Sequence, residues 1–108
     1  MYLSELDADW MLLERERLGR IYRSALDELA HLYLDTNQLQ DCLRICELAF
    51  NQDQFNELIH QVEMRAYAAL GDRATVARRY QEYRVLLASE LGLEPSEETE
   101  TIYRELNS

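Results

Sequence analysis

The sequence predicts an all-α fold of about five antiparallel helices, and three observations indicate it. Apolar residues recur every three or four positions along most of the 108 residues, which is the spacing of one face of a helix. Glycine and proline are scarce, at three and one in the chain, so the turns should be few and the helices long. A pattern of residue types also recurs after 34 residues, as it does in helical repeat proteins.

The first predicted helix covers about Asp9 to Asp35. Its apolar residues share one face, and they include Trp10, Leu13, Leu18, Ile21, Ala25, Leu29 and Leu32. Gly19 could kink or break this helix, because glycine costs about 1 kcal/mol relative to alanine in a helix interior. The polar run that begins at Asp35 supplies the stop.

Two more helices follow from the same periodicity. The second is predicted over about Gln38 to Asn51, and the third over about Gln54 to Leu70. Asp53 is a candidate N-cap for the third, because its carboxylate can accept hydrogen bonds from the first free amides. Gly71 stands where a left-handed residue commonly ends a helix.

The last two helices have clear boundary residues. Asp72 can cap a fourth helix over about Arg73 to Leu91, which Gly92 ends. Pro95 and Ser96 open a short fifth helix that reaches about Leu106. Three glutamates lie near the positive end of its dipole.

The 34-residue shift superimposes residues of similar role and matches the period of tetratricopeptide repeats. It lays Tyr33 on Tyr67, Asn37 on Gly71, Cys42 on Val76 and Cys46 on Tyr80. Two imperfect helix pairs result, about Arg23 to Asn56 and Glu57 to Glu90. Because a free-standing stack usually needs about three repeats, we expect the N-terminal half of the first helix and the last helix to cap both ends.

The second copy departs from the first at two positions that should be apolar. His60 falls where the first copy has Leu26, and Glu63 falls where it has Leu29.

Charge and hydropathy exclude several classes of function. The formal net charge is −10, which repels phosphate backbones and disfavours DNA or RNA binding by this chain alone. No apolar run approaches the roughly 20 residues of a membrane span. The acidic start of the sequence does not resemble a signal peptide. We therefore expect a cytoplasmic location and no membrane contact.

The two cysteines, Cys42 and Cys46, lie four residues apart on one predicted helix. They could form half of a metal site or a redox pair, but the histidines that would complete a site, His31 and His60, lie on other helices. Small core positions of a repeat account for both cysteines better. We predict no metal site and no disulfide.

The sequence also gives little support for a catalytic site. Asp27, His31 and Asp35 are spaced by four and could serve acid–base chemistry or pH sensing. No matched serine or cysteine nucleophile and no glycine-rich phosphate loop accompany them. The sequence therefore predicts no enzyme activity and no cofactor.

Three blocks of sequence resemble a known family. They are DADWMLLERERL from Asp7, YRSALDELAHLYLDTNQLQDCLRICELAF from Tyr22, and RAYAALGDRATVARRYQEYRVLLASELGLEPSEET from Arg65. Together they resemble the bacterial transcriptional activator domain of SARP-type activators, and the ending ELGLEPSEET is the most specific part. The resemblance covers nearly all of residues 1–108, which we interpret as one domain of a larger regulator.

The resemblance implies a tetratricopeptide-like domain that supports activation through contacts between domains or subunits. Such domains ordinarily follow a winged-helix DNA-binding domain or accompany receiver or ATPase modules, so DNA would be bound only through a separate domain. The expected partners are other domains of the same regulator, a second copy, or the transcription machinery. The alternatives are a generic tetratricopeptide adaptor that binds a peptide, and a small-molecule sensor.

Two surfaces are candidates for these contacts. In tetratricopeptide geometry the first helix of each pair lines a concave groove, which suits a peptide or a neighbouring helix. The predicted groove residues are Asp27, His31 and Leu34 from the first pair, and Leu58, Gln61, Arg65 and Ala68 from the second. The first helix or another domain of the same polypeptide could instead fill this groove.

The second surface is formed by the first helix and the acidic last helix. Trp10 and Tyr103 would anchor a dimer contact if they are exposed, because aromatic residues are enriched in interface cores. We expect Trp10 instead to pack as a cap over the repeat.

Overall fold

The computed structural model describes residues 5–108, with side chains from residue 7, and within that range it contains five helices and no strand. The helices are α1 (Glu5–Asp35), α2 (Leu39–Gln52), α3 (Glu57–Ala69), α4 (Arg73–Leu91) and α5 (Glu97–Leu106). The predicted all-α class is confirmed. No helix within this range is both long enough and apolar enough to cross a membrane.

The turns after α1 and α3 have the same geometry, 34 residues apart. Asn37 and Gly71 both adopt left-handed backbone conformations, with φ of 59° and 78°. The amide that follows each of them donates to a tyrosine carbonyl, at 2.8 Å for Tyr33 and 2.9 Å for Tyr67. This pairing closes the last helical turn in a Schellman arrangement. The match between Asn37 and Gly71 read from the sequence therefore corresponds to two equivalent helix ends.

The predicted start of α3 was wrong. Asn56, and not Asp53, is the N-cap of α3, and its side chain accepts a hydrogen bond from the amide of Ile59 at 3.2 Å. The carboxylate of Asp53 instead accepts from the amide of Phe55 at 2.9 Å. This tight turn occupies residues 53–56, so α3 begins three residues later than the apolar periodicity suggests.

The other helix boundaries agree with the sequence to within about a residue, except that α1 begins at Glu5 and not at about Asp9. Asp72 and Ser96 cap α4 and α5, and each accepts a hydrogen bond from the backbone amide three residues on, at 3.1 and 3.2 Å. Gly92 ends α4 with φ of 63°. Gly19 does not end α1, which is one continuous helix of 31 residues.

The core is assembled from small residues where helices cross and from larger ones between them. One cluster lies among α1, α2 and α3, and consists of Leu26, Ala30, Cys42, Cys46, Ala49, Ile59, Val62 and Ala66. A second lies among α3, α4 and α5, and consists of Met64, Val76, Tyr80 and Ile102. Both cysteines are free and buried, as predicted. The order of contacts, each helix packing on the next and α1 also on α3, is that of a helical repeat.

The C-terminal end is capped as expected and the N-terminal end is not. The helix α5 packs on α3 and α4. From Asp7 to Ala25, in contrast, every residue of α1 is exposed except Glu14 and Gly19, which are half-buried. Trp10 is 64% exposed, so the prediction that it packs as a cap was wrong. Because α1 continues as a helix through Gly19 and is much longer than its neighbours, its first half does not fold back onto the stack.

His60 and Glu63, the two polar residues at apolar positions of the second copy, are both buried, and both have hydrogen-bond partners. Glu63 accepts two hydrogen bonds from Arg79, at 2.8 and 3.1 Å. The ring of His60 lies between Phe50 and Tyr83, with ring centroids 4.3 and 3.9 Å away. Its Nε2–H donates to the carbonyl of Gln54 at 2.9 Å. The second copy therefore keeps its core by pairing polar groups where the first copy packs leucines.

Removing the cation that pairs with Glu63 should destabilise the fold strongly. We expect Arg79→Ala to lower the free energy of unfolding by about 3 kcal/mol, because it leaves a buried carboxylate unpaired. The matched control Arg78→Ala should change it by less than about 0.5 kcal/mol, since Arg78 forms a long, exposed pair with Glu82. Urea denaturation measures both. The double variant Glu63→Gln, Arg79→Met should recover part of the loss, and equal losses for Arg78 and Arg79 would show that this pair is not structural.

Burial lowers the pKa of His60 below its ordinary value of 6.5. The unfolded chain therefore takes up the proton at a higher pH than the folded chain, so stability should be complete above about pH 6.5 and decrease as the pH falls below it. Thermal melts between pH 5 and 7 measure this slope. His60→Phe, which keeps an aromatic ring between Phe50 and Tyr83, should flatten it. A slope that persists in His60→Phe would assign the effect to other groups.

Candidate partner-binding groove

A groove of about 770 Å³ runs between α1, α3 and α5. It is lined by six of the seven residues that the sequence proposed for it: His31, Leu34, Leu58, Gln61, Arg65 and Ala68. The further lining residues are Asp35, Val62, Ala69, Glu98 and Leu106. The inner face predicted from the repeat is therefore a real concavity, and α5 forms a wall of it.

The remaining predicted residue, Asp27, is not among the lining residues. Its carboxylate accepts a hydrogen bond from the side-chain amide of Asn56 at 3.0 Å. This bond ties α1 to the first turn of α3. Asp27 lies one helical turn before His31, at the level of the α3 N-cap rather than beside the groove, and its role here is to hold two helices together.

The position of His31 is fixed by its own helix. Its Nδ1–H donates to the carbonyl of Asp27 at 2.9 Å. This bond sets the tautomer of the neutral ring, in which Nε2 is the acceptor nitrogen. His31 can therefore present a hydrogen-bond acceptor when neutral and a cation when protonated.

The wall that α5 contributes is held in place by two hydrogen bonds to residues of α3, one made by a residue within α5 and one by its N-cap, Ser96. The side-chain amide of Gln61 donates to the hydroxyl of Thr99 at 2.8 Å, and both residues are buried. The backbone amide of Ser96 donates to the carboxylate of Glu57 at 2.9 Å. These contacts fix the width of the groove, because they determine how far α5 stands from α3.

Sequence reasoning assigned α5 a capping role and a place in a candidate dimer surface, and it missed Glu98 and Leu106 as groove residues. No local signal marks them, because their place depends on a contact between residues 38 positions apart. The acidic and hydroxyl residues at the start of α5 would fit a free surface equally well.

The groove combines charges of both signs with apolar contacts. Arg65 is exposed and forms no ion pair with any residue in the range 7–108. Asp35 and Glu98 add negative charge to the same groove, while Leu58 lines it with 44% of its surface exposed. A peptide or helix with an apolar residue and a carboxylate at neighbouring positions would complement these features.

The cysteines and acidic residues form no metal-binding cluster in the described part of the chain. No group of three or more His, Cys, Asp or Glu residues there is arranged to hold a metal ion. The thiol of Cys42 donates to the carbonyl of Ala30 at 3.3 Å, and burial raises the pKa of both Cys42 and Cys46. Thiols held protonated in a core are poor nucleophiles and poor metal ligands.

Comparison with known proteins gives a match over nearly the whole chain. The family model described as the bacterial transcriptional activator domain matches residues 2–107. No curated protein and no solved structure shows significant similarity. The matched range includes every helix described above and all residues of the groove.

The bond between Gln61 and Thr99 should be needed to hold α5 in place. Thr99→Val preserves the side-chain shape but removes the acceptor for Gln61, so we expect a loss of about 1–3 kcal/mol in the free energy of unfolding. Hydrogen exchange of the α5 amides should accelerate more than that of α2. Thr101→Val, at an exposed position of the same helix, is the control. If both variants behaved alike, the buried bond would not be what secures α5.

Proposed function

The chain belongs to the bacterial transcriptional activator domain family, and on that premise we propose that it is a non-enzymatic regulatory domain of a transcription activator. It acts as one domain over residues 1–108 and works through protein contacts in the groove between α1, α3 and α5. Its partners are other domains of the same regulator or components of the transcription machinery. A bacterial regulator of this kind works in the cytoplasm, where the DNA is.

The observation that carries this proposal is the unpaired, exposed Arg65 beside the apolar surface of Leu58. A guanidinium held at a groove without a carboxylate of its own is available to a partner's carboxylate, and charge-assisted hydrogen bonds of this kind are among the stronger ones. Leu34 and Leu106 supply further apolar contact in the same groove. Together the leucines can bind an apolar side chain of the partner, and Arg65 can bind a carboxylate.

Two features support contacts with protein rather than chemistry or DNA. The groove lining contains no serine, cysteine, threonine or lysine, and its other polar residues are His31, Asp35, Gln61, Arg65 and Glu98. The net charge of −10 opposes the approach of a phosphate backbone. DNA binding therefore belongs to a separate domain of the regulator, and membership of the family argues against a peptide adaptor unrelated to transcription.

A reporter assay in bacteria tests this function. We expect residues 1–108, fused to an unrelated DNA-binding domain, to increase transcription from a promoter that carries its site. The double variant His31→Ala, Arg65→Ala should lose most of that increase, because losing the charged contact weakens partner affinity by about tenfold or more. The control Arg73→Ala removes an exposed arginine outside the groove and should retain it.

Circular dichroism must show that all variants fold equally. A double variant as active as the unaltered fusion would remove the groove from the mechanism. A fusion that never activates, although it is folded and bound at its site, would contradict the proposed role in activation.

A further inference from the structure

The first half of α1 projects from the body of the protein and leaves an apolar face uncovered. We call residues 7–25 the projecting segment. Its exposed apolar residues include Trp10 at 64%, Leu18 at 55%, Ile21 at 52%, Met11 at 47% and Tyr22 at 45% of their surface. An apolar patch of this length on one helix marks an interaction site, because water solvates it poorly.

The apolar residues of the projecting segment have the spacing of a helix-pairing seam. Met11, Leu18, Tyr22 and Ala25 follow one another at intervals of seven, four and three residues, and Arg15 occupies the seam position between Met11 and Leu18. This is the 3.5-residue period with which two helices wind around each other. Trp10 and Ile21 lie on the same side of the helix and widen the seam.

The charges on the projecting segment are divided between its two ends. Residues 7–14 contain three acidic residues, Asp7, Asp9 and Glu14, and no lysine or arginine. Residues 15–23 contain four arginines, Arg15, Arg17, Arg20 and Arg23, and one glutamate. These are four of only 11 basic residues in the chain. Two copies of the segment that run in opposite directions therefore have complementary charges, because the acidic end of each lies beside the arginine end of the other.

From these two patterns we propose that the projecting segment is a self-association surface on which two copies of the chain pair antiparallel. Pairing centred between residues 16 and 17 places Met11 of one copy against Tyr22 of the other, and Leu18 against the aliphatic stem of Arg15. It also sets the acidic end of each segment beside the arginine end of its partner. A parallel pair would bring acidic end to acidic end and arginine end to arginine end.

The charge of the rest of the protein favours the same arrangement. Residues 26–108 carry nine of the ten net negative charges. A parallel pair would hold two such acidic bodies side by side, whereas an antiparallel pair places them at opposite ends of a helix segment about 28 Å long. That separation exceeds the Debye length of about 8–10 Å at physiological ionic strength, so the repulsion between the bodies is largely screened.

This inference concerns a surface separate from the groove and does not depend on the proposed function. Two short helices bury less than the roughly 800 Å² per partner of a typical stable complex. The dissociation constant should therefore be on the order of 10 µM, a value that a concentration series can resolve.

Sedimentation equilibrium of the 108-residue chain between about 1 and 200 µM tests the dimer. Trp10 is the only tryptophan of the chain, so its emission reports on the same surface and should shift to the blue as the concentration rises. Raising NaCl from 0.05 to 0.5 M should weaken the dimer several-fold, because salt screens the attraction between acidic and arginine ends. A chain that stays monomeric at 200 µM overturns the proposal. A dimer that tightens with salt overturns the antiparallel orientation.

A matched pair of substitutions locates the interface. Leu18→Glu places a charge in the seam, and Val85→Glu places one on α4 at a residue of nearly equal exposure, 55% against 57%. We expect Leu18→Glu to be monomeric at 200 µM and Val85→Glu to dimerise like the unaltered chain, with equal melting temperatures. If Leu18→Glu dimerises normally, whether or not Val85→Glu becomes monomeric, the seam on α1 is not the dimer interface.

A charge-exchange experiment tests the ion pairs. Asp7→Arg, Asp9→Arg makes the segment basic at both ends, and Arg20→Glu, Arg23→Glu makes it predominantly acidic. Each variant alone should dimerise at least several-fold more weakly than the unaltered chain, and an equimolar mixture should recover the affinity. A mixture no stronger than its components contradicts the role of these charges. The groove variant His31→Ala, Arg65→Ala should dimerise normally, so the two proposals can fail separately.

Discussion

Every other helix of this protein packs on α3, and most of α3 is consequently buried, with Leu58 and Arg65 left exposed at the groove. Five successive residues, from His60 to Met64, are buried, and three of them are polar. A buried polar group that has no hydrogen-bond partner destabilises the fold by more free energy than its packing contributes. In the described part of the chain no buried side-chain nitrogen or oxygen lacks one. Each partner lies on a different neighbour: Arg79 on α4, Thr99 on α5, and the carbonyl of Gln54 before α3, while Asp27 on α1 bonds to the α3 cap.

The groove is a consequence of these same contacts. Gln61 and Glu57 hold α5 beside α3 through Thr99 and Ser96, and this spacing determines how wide the groove is. Arg65, one turn after Gln61, emerges at the groove where no residue of the range 7–108 pairs with it. The polar residues that look like defects in the repeat pattern are therefore what positions the helices around the candidate site. A second copy with leucines at positions 60 and 63 would keep the stack but would lose these directional bonds.

The sequence was sufficient for most features that depend on local interactions, although it placed the N-cap of α3 at Asp53 and not at Asn56. Helix periodicity, the left-handed stops at Asn37 and Gly71, and the caps of α4 and α5 each involve residues within about one turn of one another. The sequence was insufficient where the burial of a residue depends on which other helices cover its side of the helix. Leu18 and Leu26 continue one apolar pattern on α1, yet Leu18 is 55% exposed and Leu26 only 5%. Periodicity identifies an apolar face, but only the lengths and positions of α2 and α3 decide how much of it is covered. The same reason explains why Glu98 and Leu106 could not be assigned to the groove.

The continuity of α1 links the two candidate surfaces in a fixed geometry. The projecting segment ends at Ala25, and His31 lines the groove six residues later on the same helix. That interval corresponds to about 9 Å along a helix with no break. Pairing of two projecting segments therefore leaves both grooves outside the paired region, so self-association and groove binding do not compete. Because an antiparallel pair places its bodies at opposite ends, the two grooves face separate volumes of solvent. A dimer of this kind can hold two partner segments at a separation set by the length of one rigid helix.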